Sequence, residues 1–406
     1  MIHSFPEEII QEILHRLSVK SLIKCTSVCK AWRSMIINQS FIHAHLNPTV
    51  DFANQNDTDL LLLHRISGSC SCSLTYYQNK VFAVHHNNQA FDVYSKIEFP
   101  IAPKKNYGNS HLHVVGTCDG LICLADDVPS YAYNFIIWNP AIKKSVTLPK
   151  PGITFWKHGG YNASIGFGFD ATTNDYKVVR VVTLLDEDDE TPTVAEVYSL
   201  ATGTWRSLGC VSPACLIDEA ASSAFVNGVL HWPVARQTAV GFSYYIILTF
   251  DLGKEVFSQI PMPKIILCNF KLALQLSVSD NRKSIALFMR PYNCEDFYKD
   301  YGREYSVLDI WVMKEYGREK SWTKLITLSL ITQPQGPETI FLSPLCFRKS
   351  GEVLSVLREK ERRELVSLDL VSKQFKRLGI SGFKYCTVDF YKESLLLLDK
   401  SDAESY

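Results

Sequence analysis

The sequence has no excess of either charge, because 42 lysine and arginine residues are matched by 42 aspartate and glutamate residues among 406. Nucleic-acid affinity draws on basic side chains that meet phosphates, so this balance argues against a general nucleic-acid binder. No apolar run approaches the roughly 18 residues that span a bilayer. Glu7, Glu8 and Glu12 interrupt the first apolar run, which argues against a secretion signal. We therefore expect a soluble protein of the cytoplasm or nucleus, with no nucleic-acid or membrane partner.

The sequence also lacks the motifs that carry most enzyme chemistry: a nucleophile elbow, a phosphate loop or a metalloprotease helix. "GFGFDA" at 166–171 has neither the third glycine nor the helix pattern of a dinucleotide loop, so we interpret it as a β-turn. Some histidines and cysteines could in principle bind zinc, but their spacing is not that of paired ligands. They are Cys70, Cys72, His85, His86, His111 and His113. We predict no catalytic residue, metal site or cofactor.

The first 46 residues carry more apolar positions than so small a unit can bury. Ser4-Phe5-Pro6-Glu7 matches a capping box, and apolar residues follow at helical spacing in three segments. Ser18 or Ser21 can cap the second segment. A unit of about 40 residues rarely stabilises itself by core burial alone, and contiguous exposed apolar surface usually marks a binding site. We therefore expect a partner protein to cover one flank of this unit.

Two alternatives exist for these helices. They could simply pack on the rest of the same chain. They could also form a DNA-binding helix-turn-helix, but five basic side chains against three acidic ones are a weak excess. The second segment also offers aliphatic residues where base-reading polar groups are needed, so we reject this second alternative.

The segment "FPEEIIQEILHRLSVKSLIKCTSVCKAWRSMIINQSFIHAHL" (residues 5–46) resembles an F-box of the plant type. It departs from that family at Phe5, where leucine is usual, and at Ser18, where proline is usual. The resemblance implies docking onto a Skp1-like adaptor and, through it, onto a cullin in a ubiquitin ligase. The adaptor-facing residues implied by the match are Phe5, Pro6, Ile9, Ile13, Leu14, Leu17, Leu22, Val28, Cys29 and Trp32.

Beyond a polar linker at residues 47–59, the helical period gives way to short β-branched and aromatic runs separated by turn signals. One strand type recurs at intervals of 52 to 61 residues, with its anchors at Trp138, Tyr198, Phe250, Trp311 and Leu368. An aromatic residue follows seven positions after the second, third and fifth anchors. A repeated unit of about 50 residues is typical of a kelch-like β-propeller. We predict a mainly β fold over residues 60–400, after a small three-helix F-box domain at residues 1–46.

We expect about six blades. Two final strands, "YCTVDF" and "ESLLLLD", are expected to return to the first blade and close the ring. A β-sandwich of the same strands is the alternative fold.

The repeats "GTCDGLICL", "IIWNPAIKKSVTLP", "GFGFDATTNDYKVVRV" and "FVNGVLHWPV" also resemble the F-box-associated domain of plant F-box proteins. That resemblance implies recruitment of a protein target, which the family match does not identify. Long loops rich in Tyr, Trp and Arg are the expected contact surface, since propeller loops group on one face and such residues anchor interfaces. The candidates are Trp156, Tyr161, Arg236, Tyr244, Arg290, Tyr292 and Tyr298.

The sequence thus predicts a non-enzymatic adaptor that holds a target for ubiquitination by other subunits. Two alternatives remain open: an F-box scaffold that recruits nothing for destruction, and a propeller enzyme with a site in its central channel.

Overall fold

The protein is seen in a computed structural model that describes most of the chain. The described ranges are 6–46, 60–67, 79–98, 112–126, 133–185, 192–212, 214–217, 223–237, 243–263, 267–268, 272–291, 307–329, 340–359, 362–401 and 403–405. The predicted linker at residues 47–59 lies outside them.

The N-terminal unit has four helices where the sequence pattern predicts three. They are α1 (Glu7–His15), α2 (Val19–Cys25), α3 (Lys30–Ile36) and α4 (Gln39–Leu46). Ser18 caps α2 as predicted, since its hydroxyl accepts from the Ser21 amide at 3.4 Å. The fourth helix starts after Asn38, whose side-chain oxygen accepts from the Ser40 amide at 2.8 Å. Pro6, not Ser4, is the N-cap of α1, so the predicted capping box is wrong.

Six sheets follow the helices. The strands of the first half are β1 (Leu60–Ser67), β2 (Asn79–His86), β3 (Val93–Ile97), β4 (His113–Cys118), β5 (Leu121–Ala125), β6 (Phe135–Asn139), β7 (Lys144–Thr147), β8 (Tyr161–Asp170), β9 (Asp175–Leu184), β10 (Thr193–Ser199), β11 (Thr204–Cys210), β12 (Leu216–Ile217), β13 (Ala224–Val226) and β14 (Val229–Gln237). Those of the second half are β15 (Ser243–Asp251), β16 (Val256–Pro261), β17 (Leu267–Cys268), β18 (Leu272–Val278), β19 (Ile285–Pro291), β20 (Val307–Met313), β21 (Trp322–Ser329), β22 (Ile340–Phe347), β23 (Val353–Glu359), β24 (Arg362–Leu368), β25 (Phe375–Ser381), β26 (Tyr385–Tyr391) and β27 (Glu404–Ser405). Two short helices are α5 (Phe155–His158) and a 3-10 turn at Glu319–Ser321.

The sheets are the six blades of a propeller, as predicted. Blade 1 consists of β26, β1, β2 and β3, blade 2 of β4–β7 and β27, blade 3 of β8–β11, blade 4 of β12–β17, blade 5 of β18–β21 and blade 6 of β22–β25. Their innermost strands contact one another in a closed cycle: β26, β4, β8, β13, β18, β22 and again β26. Closure occurs in blade 1, where β26 lies beside β1 with Tyr391 opposite Leu60 and Tyr385 opposite Ile66. Because β26 comes from the far end of the chain, its pairing joins the last blade to the first.

The second predicted closing strand is wrong. Residues 393–399 form no strand, with a turn at Leu396 and Leu397, and Leu395, Leu396 and Leu397 are buried. The strand near this terminus is instead β27, which pairs with β7 at the outer edge of blade 2.

The connections between strands differ between the two faces of the propeller. On one face, short turns such as 170–175 join the first strand of a blade to the second, and the third to the fourth. On the opposite face, the second strand is joined to the third and each blade to the next. The strands on either side of residues 185–192, and those on either side of residues 292–306, have their ends on this second face. We call these the turn face and the loop face.

The helical unit packs on the turn face. Buried residues of its interior, among them Leu22, Phe41 and Leu46, form one apolar cluster with Leu395 and Leu397 and with blades 2 and 3. Residues 392–400, here called the C-terminal strap, lie between the helices and the blades. On the blade side, the Asn139 amide donates to the Leu396 carbonyl at 2.8 Å.

Candidate partner-binding surfaces

An apolar flank of the helical unit faces away from the blades. Ile9 and Ile13 are one helical turn apart on α1, and their side chains are 47% and 50% exposed. Val28, in the turn before α3, is 63% exposed, and its neighbour Cys29 and Pro6 are exposed as well. Large aliphatic side chains at such exposure form apolar surface that a partner can cover.

The structure shows which residues of the adaptor-facing set are exposed to a partner and which are buried inside the helical unit. Leu14 and Leu22 are 1% and 0% exposed, so they belong to the interior of the helical unit and not to its surface, which corrects the sequence assignment. Leu17 and Trp32 are half-buried at the border of that interior. Phe5 lies outside the described residues.

The buried side of α1 is held by α4. The His15 ring stacks on Phe41 with centroids 4.2 Å apart, and His45 Nε2 is 2.9 Å from the Leu17 carbonyl oxygen. These contacts fix which face of α1 is turned outward, so Ile9 and Ile13 are exposed by the packing of their neighbours. One side of the helical unit therefore packs on the rest of the chain, as the alternative interpretation predicts. Its other side stays exposed.

A second surface lies on the loop face of blade 3. Trp156 in α5 is 89% exposed, next to Phe155 at 40% and Leu185 at 49%. The Leu185 amide donates to the Gly160 carbonyl at 2.9 Å, which ties the end of β9 to the segment that carries α5. Sequence reasoning singled out Trp156 but missed Leu185, because a single leucine after a strand gives no signal of exposure.

A buried ion pair holds the start of this segment. Arg180 Nη1 lies 2.9 Å from Glu196 Oε2, and the two side chains are 0% and 5% exposed. Glu196 Oε1 also accepts from the Gly152 and Ile153 amides at 2.8 and 3.1 Å, while Arg180 donates to the Ile153 carbonyl at 2.8 Å. The Trp156 turn is therefore anchored before any partner binds, which reduces the ordering cost of an interface.

The other residues predicted to form the target-binding surface differ in how exposed they are. Tyr161 is 1% exposed beneath the Arg180 guanidinium, 5.0 Å from its ring centroid, so its assignment to the surface is wrong. Arg236 and Tyr244 are half-buried at the loop-face end of blade 4, with Nη1 3.4 Å from the phenol oxygen. Arg290 is half-buried at the end of β19. Tyr292 and Tyr298 lie outside the described residues.

Comparisons with known proteins match both parts of the chain. Residues 72–396 match the F-box associated beta propeller domain, and residues 2–43 match the F-box domain. Among curated relatives from Arabidopsis thaliana, the F-box/kelch-repeat protein At3g23880 is 26% identical over 81% of this chain and 81% of its own length. The F-box protein CPR1 is 26% identical over 98% of this chain and 90% of its own. None of the helices in the described part of the chain could span a lipid bilayer. The chain belongs to the F-box proteins that carry an F-box associated beta-propeller domain.

Proposed function

We propose that this chain is the target-recruiting subunit of a Skp1–cullin–F-box ubiquitin ligase, acting in the cytoplasm or nucleus. The observation that carries the proposal is the outward flank of Ile9, Ile13 and Val28, on a helical unit whose other side packs against the propeller. Burying an aliphatic side chain stabilises an interface by roughly 1.5–3 kcal/mol, so a few such residues suffice for a specific contact. The chain itself carries out no chemistry.

The two surfaces have a spatial relation that suits this role. The helical unit packs on the turn face, whereas the Trp156 turn lies on the loop face. An adaptor and a target can therefore bind at the same time without competing for space. Holding both in one assembly raises the local concentration of target lysines near the ubiquitin-carrying subunit.

The test is co-purification of the full chain with a Skp1-like adaptor. Ile9→Asp/Ile13→Asp places two charges in the flank, and we expect adaptor and cullin recovery to fall about tenfold or more. Val256→Asp/Val371→Asp is the matched control, because these valines are 53% and 93% exposed on propeller blades. The control should recover adaptor as the unaltered chain does, and both variants should unfold at its midpoint temperature. Equal adaptor recovery by both variants would show that the proposal is wrong.

A second arm tests the recruiting role. Trp156→Ala removes the most exposed side chain of the loop-face patch and should leave adaptor recovery unchanged, because it lies on the opposite face from the helices. Proteins that are recovered and ubiquitinated with the unaltered chain but not with this variant are the expected targets. If no protein depends on Trp156, that residue has no place in recruitment; if none is ubiquitinated with the unaltered chain, the scaffold alternative is correct.

A further inference from the structure

One side of β26, the innermost strand of blade 1, carries polar side chains beside the central channel. Tyr385, Thr387 and Asp389 alternate along β26, so their side chains point to the same side of the strand. Cys386 and Val388, which lie between them, are buried in an apolar cluster with residues of blade 6. The innermost strands of a propeller surround a central channel. Thr387 and Asp389 are half-buried on the side away from blade 6 and therefore lie at this channel.

These side chains form one group with a histidine of the next strand. Thr387 lies directly opposite His64 on β1, and residues in this relation have Cβ atoms about 5 Å apart. Asp389 is a diagonal neighbour of His64, at about 7 Å. Tyr385 is the other diagonal neighbour, with its ring centroid 5.9 Å from that of His64. Burial, followed by the Asp389 charge, raises the pKa of Tyr385, so the carboxylate and the phenol are close. We call His64, Tyr385, Thr387 and Asp389 the channel cluster.

Three members of the channel cluster can accept hydrogen bonds and receive none from the part of the chain that the structure describes. The Thr387 Oγ1 atom and both ring nitrogens of His64 are buried without a partner there. The Asp389 carboxylate has no hydrogen bond or ion pair with any described residue, and burial raises its pKa to about 6. Each unpaired group destabilises the folded state, and such features are concentrated at functional sites.

The cations near the channel cluster are held elsewhere. Lys80 lies opposite Ile66, which is four residues along β1 from the position opposite Asp389. That separation is about 13 Å along the strand. The Lys80 ammonium donates instead to the backbone carbonyl before β4 at 2.6 Å. The Arg282 guanidinium packs 4.3 Å from the centroid of the Phe390 ring, on the other side of β26.

We propose that the channel cluster binds a primary ammonium group, carried by a small alkylamine or by a lysine side chain of a bound protein. An ammonium group has one positive charge and three N–H donors, and it accepts no hydrogen bond. Asp389 supplies the opposite charge, while Thr387 and His64 accept the remaining hydrogen bonds. The Tyr385 ring, which is 38% exposed, can pack its face against the cation. This inference does not depend on the proposed ligase function, because it involves neither the helical flank nor the Trp156 turn.

The test measures binding of dansylcadaverine, a fluorescent primary alkylamine, to the full chain by the change in its fluorescence. Asp389→Asn removes the charge and keeps the shape of the side chain, so we expect binding to weaken about tenfold or more. Asp280→Asn is the matched control, because Asp280 is exposed in the turn between β18 and β19. The control should bind the probe as the unaltered chain does. Equal binding by the two variants would overturn the proposal.

A second variant separates ligand binding from a structural role. Thr387→Val removes one acceptor with little change of side-chain volume and should weaken probe binding about threefold or more. Neither Thr387→Val nor Asp389→Asn should lower the unfolding midpoint, because each removes a group that the fold leaves unpaired. A lower midpoint for both variants would show that these groups stabilise the blade, and would contradict a ligand site.

Competition identifies the chemistry of the ligand. Butylammonium should displace the probe, whereas tetramethylammonium, which has the same charge but no N–H donor, should not. Displacement by tetramethylammonium at the same concentration would show a general cation site and would contradict the proposal. A blocked tripeptide with a central lysine distinguishes the two sources of the ammonium group. If it displaces the probe, a protein lysine reaches the channel cluster; if only butylammonium does, the ligand is a small amine.

Discussion

The Gln39 side-chain amide donates to the Asp399 carboxylate at 3.0 Å, joining α4 to the C-terminal strap 360 residues later in the chain. Lys392, at the start of the strap, reaches the Leu46 carbonyl at 3.4 Å. On its other side the strap is held by Asn139 of blade 2. The strap therefore fixes the helical unit on the propeller. As a result, side-chain contacts hold the helical unit on the propeller in addition to the chain connection.

Leu395→Ala tests the strap. Leu395 is 1% exposed within the cluster shared by helices and blades, so we expect the variant to lose about 2–5 kcal/mol of unfolding free energy. Adaptor recovery at elevated temperature should fall with it, because the helices lose part of their support. Val371→Ala, at a side chain that is 93% exposed, should change stability by no more than about 0.5 kcal/mol. Urea unfolding measures both, and equal midpoints for the two variants would contradict a supporting role of the strap.

Glu196→Gln tests the buried anchor of the Trp156 turn. The Arg180 charge would remain buried without its partner, which costs about 3–5 kcal/mol. We also expect recovery of Trp156-dependent targets to fall while adaptor recovery is retained, since Glu196 holds the amides before α5. The control is Glu98→Gln, because Glu98 is 81% exposed and lies 3.5 Å from Lys143. Such surface pairs contribute about 0–1 kcal/mol. A Glu196 variant as stable as this control would show that the pair is not an anchor.

His64 gives a pH-dependent prediction. Its ring stacks on Phe82 at 4.4 Å, and neither ring nitrogen has a hydrogen-bond partner among the described residues. Burial, with smaller effects of the Lys80 and His113 charges, lowers the pKa of His64 from 6.5 to about 3. The unfolded chain therefore binds this proton more readily, and stability falls as the pH drops from about 6.5 towards 3.

His64→Phe removes this linkage while keeping the stacked ring. Between pH 7 and pH 5, we expect the variant to lose about 2 kcal/mol less unfolding free energy than the unaltered chain. His158→Phe, at an exposed histidine of α5, is the control and should follow the unaltered chain. Identical pH profiles for the chain and the His64 variant would rule out a neutral buried imidazole.

The repeat seen in the sequence corresponds to one hairpin, formed by the third and fourth strands, in each of blades 2 to 6. Tyr198 lies opposite Trp205, and Phe250 lies opposite Phe257 with ring centroids 4.6 Å apart. A spacing of seven residues places two aromatic rings side by side across the turn between the third and fourth strands. The period of the blades could therefore be predicted from the spacing of residues that are close together in the sequence. In blade 5 the corresponding aromatic residue is Trp322, which follows Trp311 by eleven positions and lies opposite Met313, so this copy departs from the seven-residue spacing.

Hydrophobic pattern alone did not tell which apolar residues face a partner. Ile13 and Leu14 are adjacent and chemically alike, yet one is 50% exposed and the other 1%. In the same way, Tyr161 is in a tyrosine-bearing loop sequence but begins β8 beneath Arg180. Burial depends on what the other elements bring to each side chain, and those elements come from distant parts of the sequence.

The sequence by itself determined the two kinds of local structure, helices at the start and repeated hairpins afterwards, because both follow from the spacing of neighbouring residues. The tertiary structure decided which flank of the helices is open, where the strap lies, and which strand closes the ring. Ring closure places Ile66 of β1 opposite Tyr385 of β26, although the two residues come from opposite ends of the propeller sequence. No local pattern encodes such a contact, since it exists only once every intervening blade has packed.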